Sequence, residues 1–277
     1  MQKSNYFFIR LLDTLAKTKK LPKAEGPRLH SKPILKFKSA SSLIAYAFHI
    51  LVPKVAVKFS NRLLTQQVTR WSIAYGKHNG FSKSLSGYKE IKNPDGRFLA
   101  DPFVFENLGR QIIFVEDLFY SDNKGRISAI ELKEDSEEFL GVVLEEDFHL
   151  SFPFVFKHED AVYMIPETHE AREIRLYRCV DFPKKWVLDK ILMKNLDAAD
   201  TMVVRQDNVW FLLTNICSAE LGDHQSELHI FYSEKLDSNR WKPIRSGNPV
   251  IFDSLSARNG GMFYAGEELY RVNQIHG

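Results

Sequence analysis

Cysteine is scarce in this chain of 277 residues: there are two, Cys179 and Cys217, with no CxxC spacing and no histidine beside them at metal-ligand spacing. A disulfide framework and a zinc-finger module are thereby excluded, and the plain reading is two reduced thiols in a cytoplasmic protein. Long apolar runs are also missing. The longest, LIAYAFHILV (Leu43 to Val52), stops at Pro53 and Lys54, well short of the ~20 residues that span a bilayer. Met1–Arg10 lacks the ordered basic start, apolar stretch and cleavage site of a secretory signal. There is no GxGxxG opening a helix, no Walker loop, no GxSxG and no HExxH, so the common nucleotide, serine-hydrolase and metalloprotease chemistries lose their footing. His224, Glu227 and His229, in DHQSELHIF, are not at a recognised metal spacing and read as polar positions of a strand. Neither a metal nor a cofactor is expected.

Acidic residues are nearly absent from the first part of the chain. Of 38 Lys and Arg, 16 fall in residues 1–83 beside only Asp13 and Glu25, leaving 22 against 33 acids in the remainder. Two regions with different tasks are implied. The stretch from Lys20 to Lys38, with three prolines, reads as an irregular linker. SSLIAYAFHILVPKVAVKFSNRLL reads as amphipathic helix, with Lys54, Lys58 and Arg62 at i, i+4 spacing. Such a face suits an anionic membrane surface, or equally a packed helix with solvated charges. The expectation is a basic, partly helical leader over 1–70, in a cytoplasmic protein with peripheral contact at the inner face of the membrane. The basic residues are scattered and match no nucleic-acid motif, so nucleic acid is not an expected partner.

What the chain has in quantity is aromatic residues, 13% of the total with 21 Phe, a composition that fits pleated sheet. It also repeats itself. LADPFVFENLGRQIIFVED (Leu99 to Asp117) and LSFPFVFKHEDAVYMIPET (Leu150 to Thr168) align without a gap. Asp101 falls on Phe152 and Glu116 on Glu167. DTMVVRQDNVWFLLTN (Asp200 to Asn215) fits with one residue deleted, Asp200 taking the place of Asp101 and Thr214 that of Glu116. NGGMFYAGEELYRVNQ is a weaker fourth copy, with Asn259 and Gln274 at the two positions. Each copy reads as a β-hairpin, followed by strand-like pieces such as RISAIEL, EIRLYRCV, KWVLDKIL and ELHIFYSE. About four strands per ~50-residue unit is the pattern of a propeller blade. The expectation is an all-β propeller over 71–277, with about four blades present and the C-terminus truncated relative to a closed ring.

In a propeller the first strand of each blade lines the channel, and a hairpin returns its end to the same rim. Asp101, Glu116, Glu167 and Asp200 are therefore expected to meet, with His149, Phe152, Thr168, Arg258 and Asn259 as neighbours that bind substrate. Paired carboxylates across a sugar-sized gap are what glycoside chemistry requires, and crowding of like charge raises the pKa of one of them. Phe103, Phe152 and Tyr163 are candidates to stack on a sugar. Each acid also has a structural reading, as a turn former or an ion-pair partner at a blade junction. Asp101 and Asp200 stand where the second copy has Phe152, so they are not part of the repeat, and they carry more weight.

The run ADPFVF…E, HLSFPFVF…YMIPET, LYR and DTMVV…WFLLTN resembles the N-terminal domain of glucosamine inositolphosphorylceramide transferases. It also resembles related bacterial domains, often fused to formyltransferase-like domains or found with polysaccharide biosynthesis. The likeness covers residues 70–274. That domain is in turn similar to five-bladed propellers of the arabinanase and fructosidase type. The resemblance implies Asp101 as base or nucleophile, Glu167 as acid and Asp200 as charge stabiliser. It implies a sugar or sugar-conjugate substrate and either glycosyl transfer or glycoside cleavage. The plant-type transferases carry their glycosyltransferase chemistry on a separate C-terminal domain, so a non-catalytic sugar-binding or scaffold module serving a partner glycosyltransferase is the alternative.

Overall fold

The computed structural model describes residues 71–76, 87–134, 136–218 and 222–275, together with 11, 12, 14–20, 41, 44, 45, 48, 49 and 52. Contacts divide the chain into two compact units, Met1–Arg70 and Trp71–Gly277. In the first unit the described residues 11–12, 14–18, 41, 44–45, 48–49 and 52 are helical. Ile44, Phe48 and Val52, one helical turn apart in succession, are exposed. Among the described residues no helix is long and apolar enough to cross a membrane. Lys54, Lys58 and Arg62, and the linker 21–38, lie outside the described residues.

Among its described residues the second unit is all-β, with one short 3-10 turn at His169–Ala171. β1 (Ile73–Tyr75) pairs with β2 (Lys89–Ile91). The first four-stranded meander is β3 (Arg97–Asn107), β4 (Arg110–Phe119), β5 (Lys124–Leu132) and β6 (Glu137–Leu144). The second is β7 (Ser151–His158), β8 (Ala161–Glu167), β9 (Glu173–Asp181) and β10 (Lys185–Lys194). The third comprises β11 (Ala198–Gln206), β12 (Val209–Ile216) and β13 (Glu227–Ser233), with β14 (Lys242–Pro243) and β15 (Ile251–Phe252) both on the free side of β13. A hairpin of β16 (Asn259–Ala265) and β17 (Glu268–Asn273) follows.

The meanders stack face to face because alternate residues of a strand point to opposite sides. On the second sheet, Val155, Val162, Met164 and Tyr177 pack with Ile112, Phe114, Ile127 and Ala129 of the first. Phe154, Ile165 and Leu176 turn the other way and pack with Met202, Val203, Trp210 and Leu212 of the third. The outer face of the first sheet buries Leu99, Ile113, Val115 and Ile130 against Ile73 and Ile91 of the small β1–β2 sheet. A sheet sandwiched on both faces needs near-continuous apolar strands, and that is why PFVF and QIIFV read as they do.

The leading hairpins share an irregularity. Ala100 pairs with Glu116 and Phe103 with Phe114, so Asp101 and Pro102 stand opposite Val115 alone. Phe152 and Pro153 do the same against Pro166, and Asp200 and Thr201 against Thr214. This is a β-bulge, one extra residue that bends the strand. Its first residue has a positive φ each time: 46° at Asp101, 45° at Phe152 and 50° at Asp200. In β16 the extra residue is Gly260, between Asn259–Asn273 and Gly261–Val272.

The bulge corrects the register read from sequence. Asn215 faces Ala199, as Glu116 faces Ala100 and Glu167 faces Ser151. No residue is deleted in the third copy, because Asp207–Asn208 makes a two-residue turn like Leu108–Gly109, both with positive φ. Asn215 rather than Thr214 therefore stands in the column of Glu116. In the fourth copy Asn273 rather than Gln274 closes the pair, and Asn259 occupies the place of Ala100.

Candidate functional site

Left-handed backbone at a non-glycine residue costs about 1 kcal/mol or more and persists where its surroundings over-determine it. Here the surroundings are the neighbouring sheet. The bulge takes a main-chain N–H off the ladder, and a polar side chain of the preceding sheet accepts it. Phe152 N–H donates to Asp101 Oδ2 at 3.3 Å, and Asp200 N–H to Glu167 Oε2 at 3.3 Å. Asn259 N–H donates to Asn215 Oδ1 at 2.8 Å. Part of what Asp101 and Glu167 do is therefore architectural: they satisfy buried donors between sheets.

The remainder of their bonding capacity is gathered in one electrostatic cluster. Asp200 is 1% exposed. Its Oδ2 accepts from Arg258 Nε at 2.7 Å, while its Oδ1, equally buried, has no hydrogen-bond partner among the described residues. Burial, and then the charge of Glu167, push its pKa up. Asp101 is raised to about 6, first by burial and then by the charges of Glu116 and Glu167, with Arg258 acting in the opposite direction. Burial also works to raise Glu167. It is outweighed by the His169 imidazole, whose Nδ1 lies 2.8 Å from Oε1, and by the charges of His224 and Arg258, so Glu167 is held below the usual carboxylate range.

Glu116 has its own imidazole. His149 Nδ1 accepts the Gly125 N–H at 3.1 Å, so the proton of the neutral ring sits on Nε2, which lies 3.1 Å from Glu116 Oε1. Burial works against its charged form, yet the Glu116 contact carries its pKa upward. The whole cluster sets Asp101, Glu116, Glu167 and Asp200 against Arg258 and the imidazoles of His149, His169 and His224. With more acids than fixed cations, it holds protons at pH values where exposed carboxyls have lost them.

The structure thus brings Asp101, Glu116, His149, Glu167, Asp200 and Arg258 into mutual influence. Three other expected residues are engaged elsewhere, which corrects their expected part in binding. Phe152 is 2% exposed and packs edge-on to Phe103, ring centroids 4.8 Å apart, so no ring face is left for a sugar. The Thr168 hydroxyl donates to the Glu173 carbonyl at 2.6 Å and braces the turn after β8. Asn259 is fully buried; its Nδ2 donates to the Asp200 carbonyl at 2.8 Å, and its Oδ1 accepts from Arg271. It holds the strand of Asp200 in place. His224, Glu227 and His229 do not converge: His224 Nε2 meets Asp197 Oδ1 at 2.7 Å and His229 Nε2 meets Glu227 Oε2 at 2.8 Å. Sequence reading missed His169, although an imidazole two residues past Glu167 on a tight turn was the available signal. A flank cavity of about 370 Å³, with His158, Tyr163, Arg205 and Trp210 in its wall, includes none of the cluster.

With this geometry described, the chain can be set beside known proteins. Residues 71–277 match the family model described as glucosamine inositolphosphorylceramide transferase 1, N-terminal. Glucosamine inositolphosphorylceramide transferase 1 of Oryza sativa subsp. japonica is 36% identical over 182 residues, which are 64% of this chain and 24% of that protein. The Arabidopsis thaliana protein of the same name is 35% identical over 182 residues, 64% of this chain and 23% of its own length. The chain thus spans about a quarter of these curated relatives, which are plant proteins. Among solved structures, an exo-beta-1,3-galactanase from Phanerochaete chrysosporium superposes with a TM-score of 0.50 at 11% identity, covering 69% of this chain and 47% of that one. At that identity the likeness bears on fold alone: the stacked meanders are arranged as in a propeller-type all-β structure.

Proposed function

Since the chain belongs to the family of glucosamine inositolphosphorylceramide transferase N-terminal domains, we propose that it is a carbohydrate-active propeller domain working in glycoconjugate or surface-polysaccharide synthesis. Five sheets in succession support a five-bladed reading. The observation that carries the functional reading is Asp200: a carboxylate held on left-handed backbone, buried, with one oxygen unpartnered among the described residues, inside a cluster that also lifts Asp101. Packing alone asks for none of this, since Phe152 fills the same place in the preceding sheet.

The reaction class is glycosyl transfer or glycoside cleavage, with a sugar or sugar-conjugate as substrate. We read the charge pattern as giving the acids different roles from the arabinanase-type analogy. Asp101, lifted to about 6, and Asp200, raised to about 8, can both hold a proton near neutral pH, and Asp101 is the one of the two not bonded to Arg258. Glu167, kept ionised by His169, faces developing positive charge at an anomeric carbon. Arg258 orients Asp200. The relatives' name points to a glucosamine- and inositol-phosphate-bearing substrate, with the basic leader meeting an anionic membrane from its cytoplasmic side. The second reading, a sugar-binding module serving a partner glycosyltransferase, is favoured by the short span of the relatives that the chain covers.

The test uses the full chain with chromogenic aryl glycosides, glucosaminides included, for cleavage, and with inositol phosphate glycans of glucosamine for calorimetric binding. The enzyme reading expects turnover that falls about a hundredfold or more in Asp101→Asn. Binding without turnover in the unaltered chain selects the module reading. Absence of both removes carbohydrate handling altogether.

A further inference from the structure

At the end of the third sheet, three ligand-bearing side chains from separate stretches of chain meet. Asp197 precedes β11, Cys217 follows β12, and His224 lies on the approach to β13. The Cys217 N–H donates to the Asp197 carbonyl at 2.9 Å, fixing the two strand ends side by side. His224 Nε2 lies 2.7 Å from Asp197 Oδ1, and one ligand atom from each of Asp197, Cys217 and His224 lies within 4.8 Å of the other two. All three residues are partly buried, so the atoms are sheltered yet reachable. The charges of Asp223 and Glu227 reach the thiol, and that of Arg172 opposes them.

From this juxtaposition we infer that Asp197, Cys217 and His224 form a binding site for a divalent transition-metal ion of the zinc type. Sulfur, imidazole nitrogen and carboxylate oxygen together select zinc over magnesium or calcium, which take oxygen alone. Bond lengths of about 2.0–2.3 Å put tetrahedral ligand atoms about 3.5 Å apart, so the His224–Asp197 pair, at 2.7 Å, must open by about 0.8 Å and pairs as far as 4.8 Å apart must close by up to about 1.3 Å. Three protein ligands leave one position for water. On binding, the thiol proton leaves to solvent and the thiolate joins the ion. The ion ties together the ends of β11 and β12, three residues from Asp200, and sits beside the His169 ring, whose centroid is 5.7 Å from that of His224. It would brace the edge of the carboxylate cluster, to which His224 is already coupled through its charge on Glu167.

The test is titration of the full chain, stripped with chelator, with zinc alone and with cobalt as a spectroscopic stand-in. The expected result is one equivalent bound per chain, with a thiolate-to-cobalt charge-transfer band in the near ultraviolet. Cys217→Ser should abolish that band and weaken binding at least about tenfold, as should His224→Ala, since even an outer-shell partner is worth that much. Cys179→Ser, altering a cysteine packed against the core between the first and second sheets, should change neither. A far-ultraviolet spectrum separates a misfolded variant from one that has lost a ligand. No saturable binding, binding without the thiolate band, or binding unchanged in both ligand variants overturns the site.

Discussion

Phe152 and Asp200 occupy the same place in successive sheets. Each is the first residue of a bulge, each has φ near +50°, and each is almost fully buried. Phe152 fills its position with a ring that packs on Phe103 and Phe154. Asp200 fills it with a carboxylate that leaves one oxygen unpartnered among the described residues. The backbone therefore does not call for an acid there. Where the fold alone decides, an aromatic residue serves, and where an acid stands its desolvation is a cost that packing does not offset. The same contrast runs down the opposite column, where Glu116 and Glu167 give way to Asn215 and Asn273. Asn215 is fully consumed by main-chain bonds, to Glu227, Ala257 and Asn259, while Glu167 keeps one oxygen for His169.

Breaking the apolar member of the pair should have the largest effect on stability. Phe152→Ala removes a buried ring from the core between the second and third sheets and should cost about 4 kcal/mol, read as a lower denaturant midpoint at unchanged slope. A loss under about 1 kcal/mol would mean that the ring is not the packing element described. Next comes Asn215→Ala. It strips partners from three main-chain groups, two of which (the Ala257 carbonyl and the Asn259 N–H) tie the third sheet to β16 and its approach, and about 3 kcal/mol should be lost. Hydrogen exchange at Asn259 should rise together with that loss; protection left intact would show that the stitch is not what holds β16 in register.

Much of the fold was open to reading because sheet buried on both faces has a plain signature. PFVF, QIIFVE and VWFLLT are apolar throughout, and polar two-residue turns punctuate them. The fourth strand of the first sheet was harder: EEFLGVVL begins with two exposed acids and carries Gly141 at positive φ, so its alternation is broken. Register in the third and fourth copies was misread because like polar letters were matched, Thr214 for Glu116 and Gln274 for the closing residue, whereas the chain conserves the bulge. The acids of the cluster were legible as departures from the repeat. Thr168 and Asn259 looked like site residues by proximity alone. Nothing in their letters reveals that the Glu173 carbonyl takes one hydroxyl and the Asp200 carbonyl one amide.

The smallest change sharpens the comparison most, because its sign separates the two readings of Asp101. The carboxyl titrates near 3.8 when unfolded and at about 6 in the fold, raised by burial and by Glu116 and Glu167. Between those values the folded chain binds more protons than the unfolded one, so this group's favourable contribution is complete below pH 3.8 and is lost as pH rises through about 6. At pH 7 the ionised carboxyl then opposes folding by about 2 kcal/mol, allowing for its partial exposure. Asp101→Asn keeps an oxygen to accept the Phe152 N–H but carries no charge. It should therefore stabilise the chain by about that amount at pH 7 and by nothing at pH 3.5, measured as the difference in urea midpoint at the two pH values. If Asp101 served only the junction between sheets, the substitution would be neutral or destabilising at both. A gain in stability joined to a loss of turnover is what a strained, desolvated acid at a working site predicts.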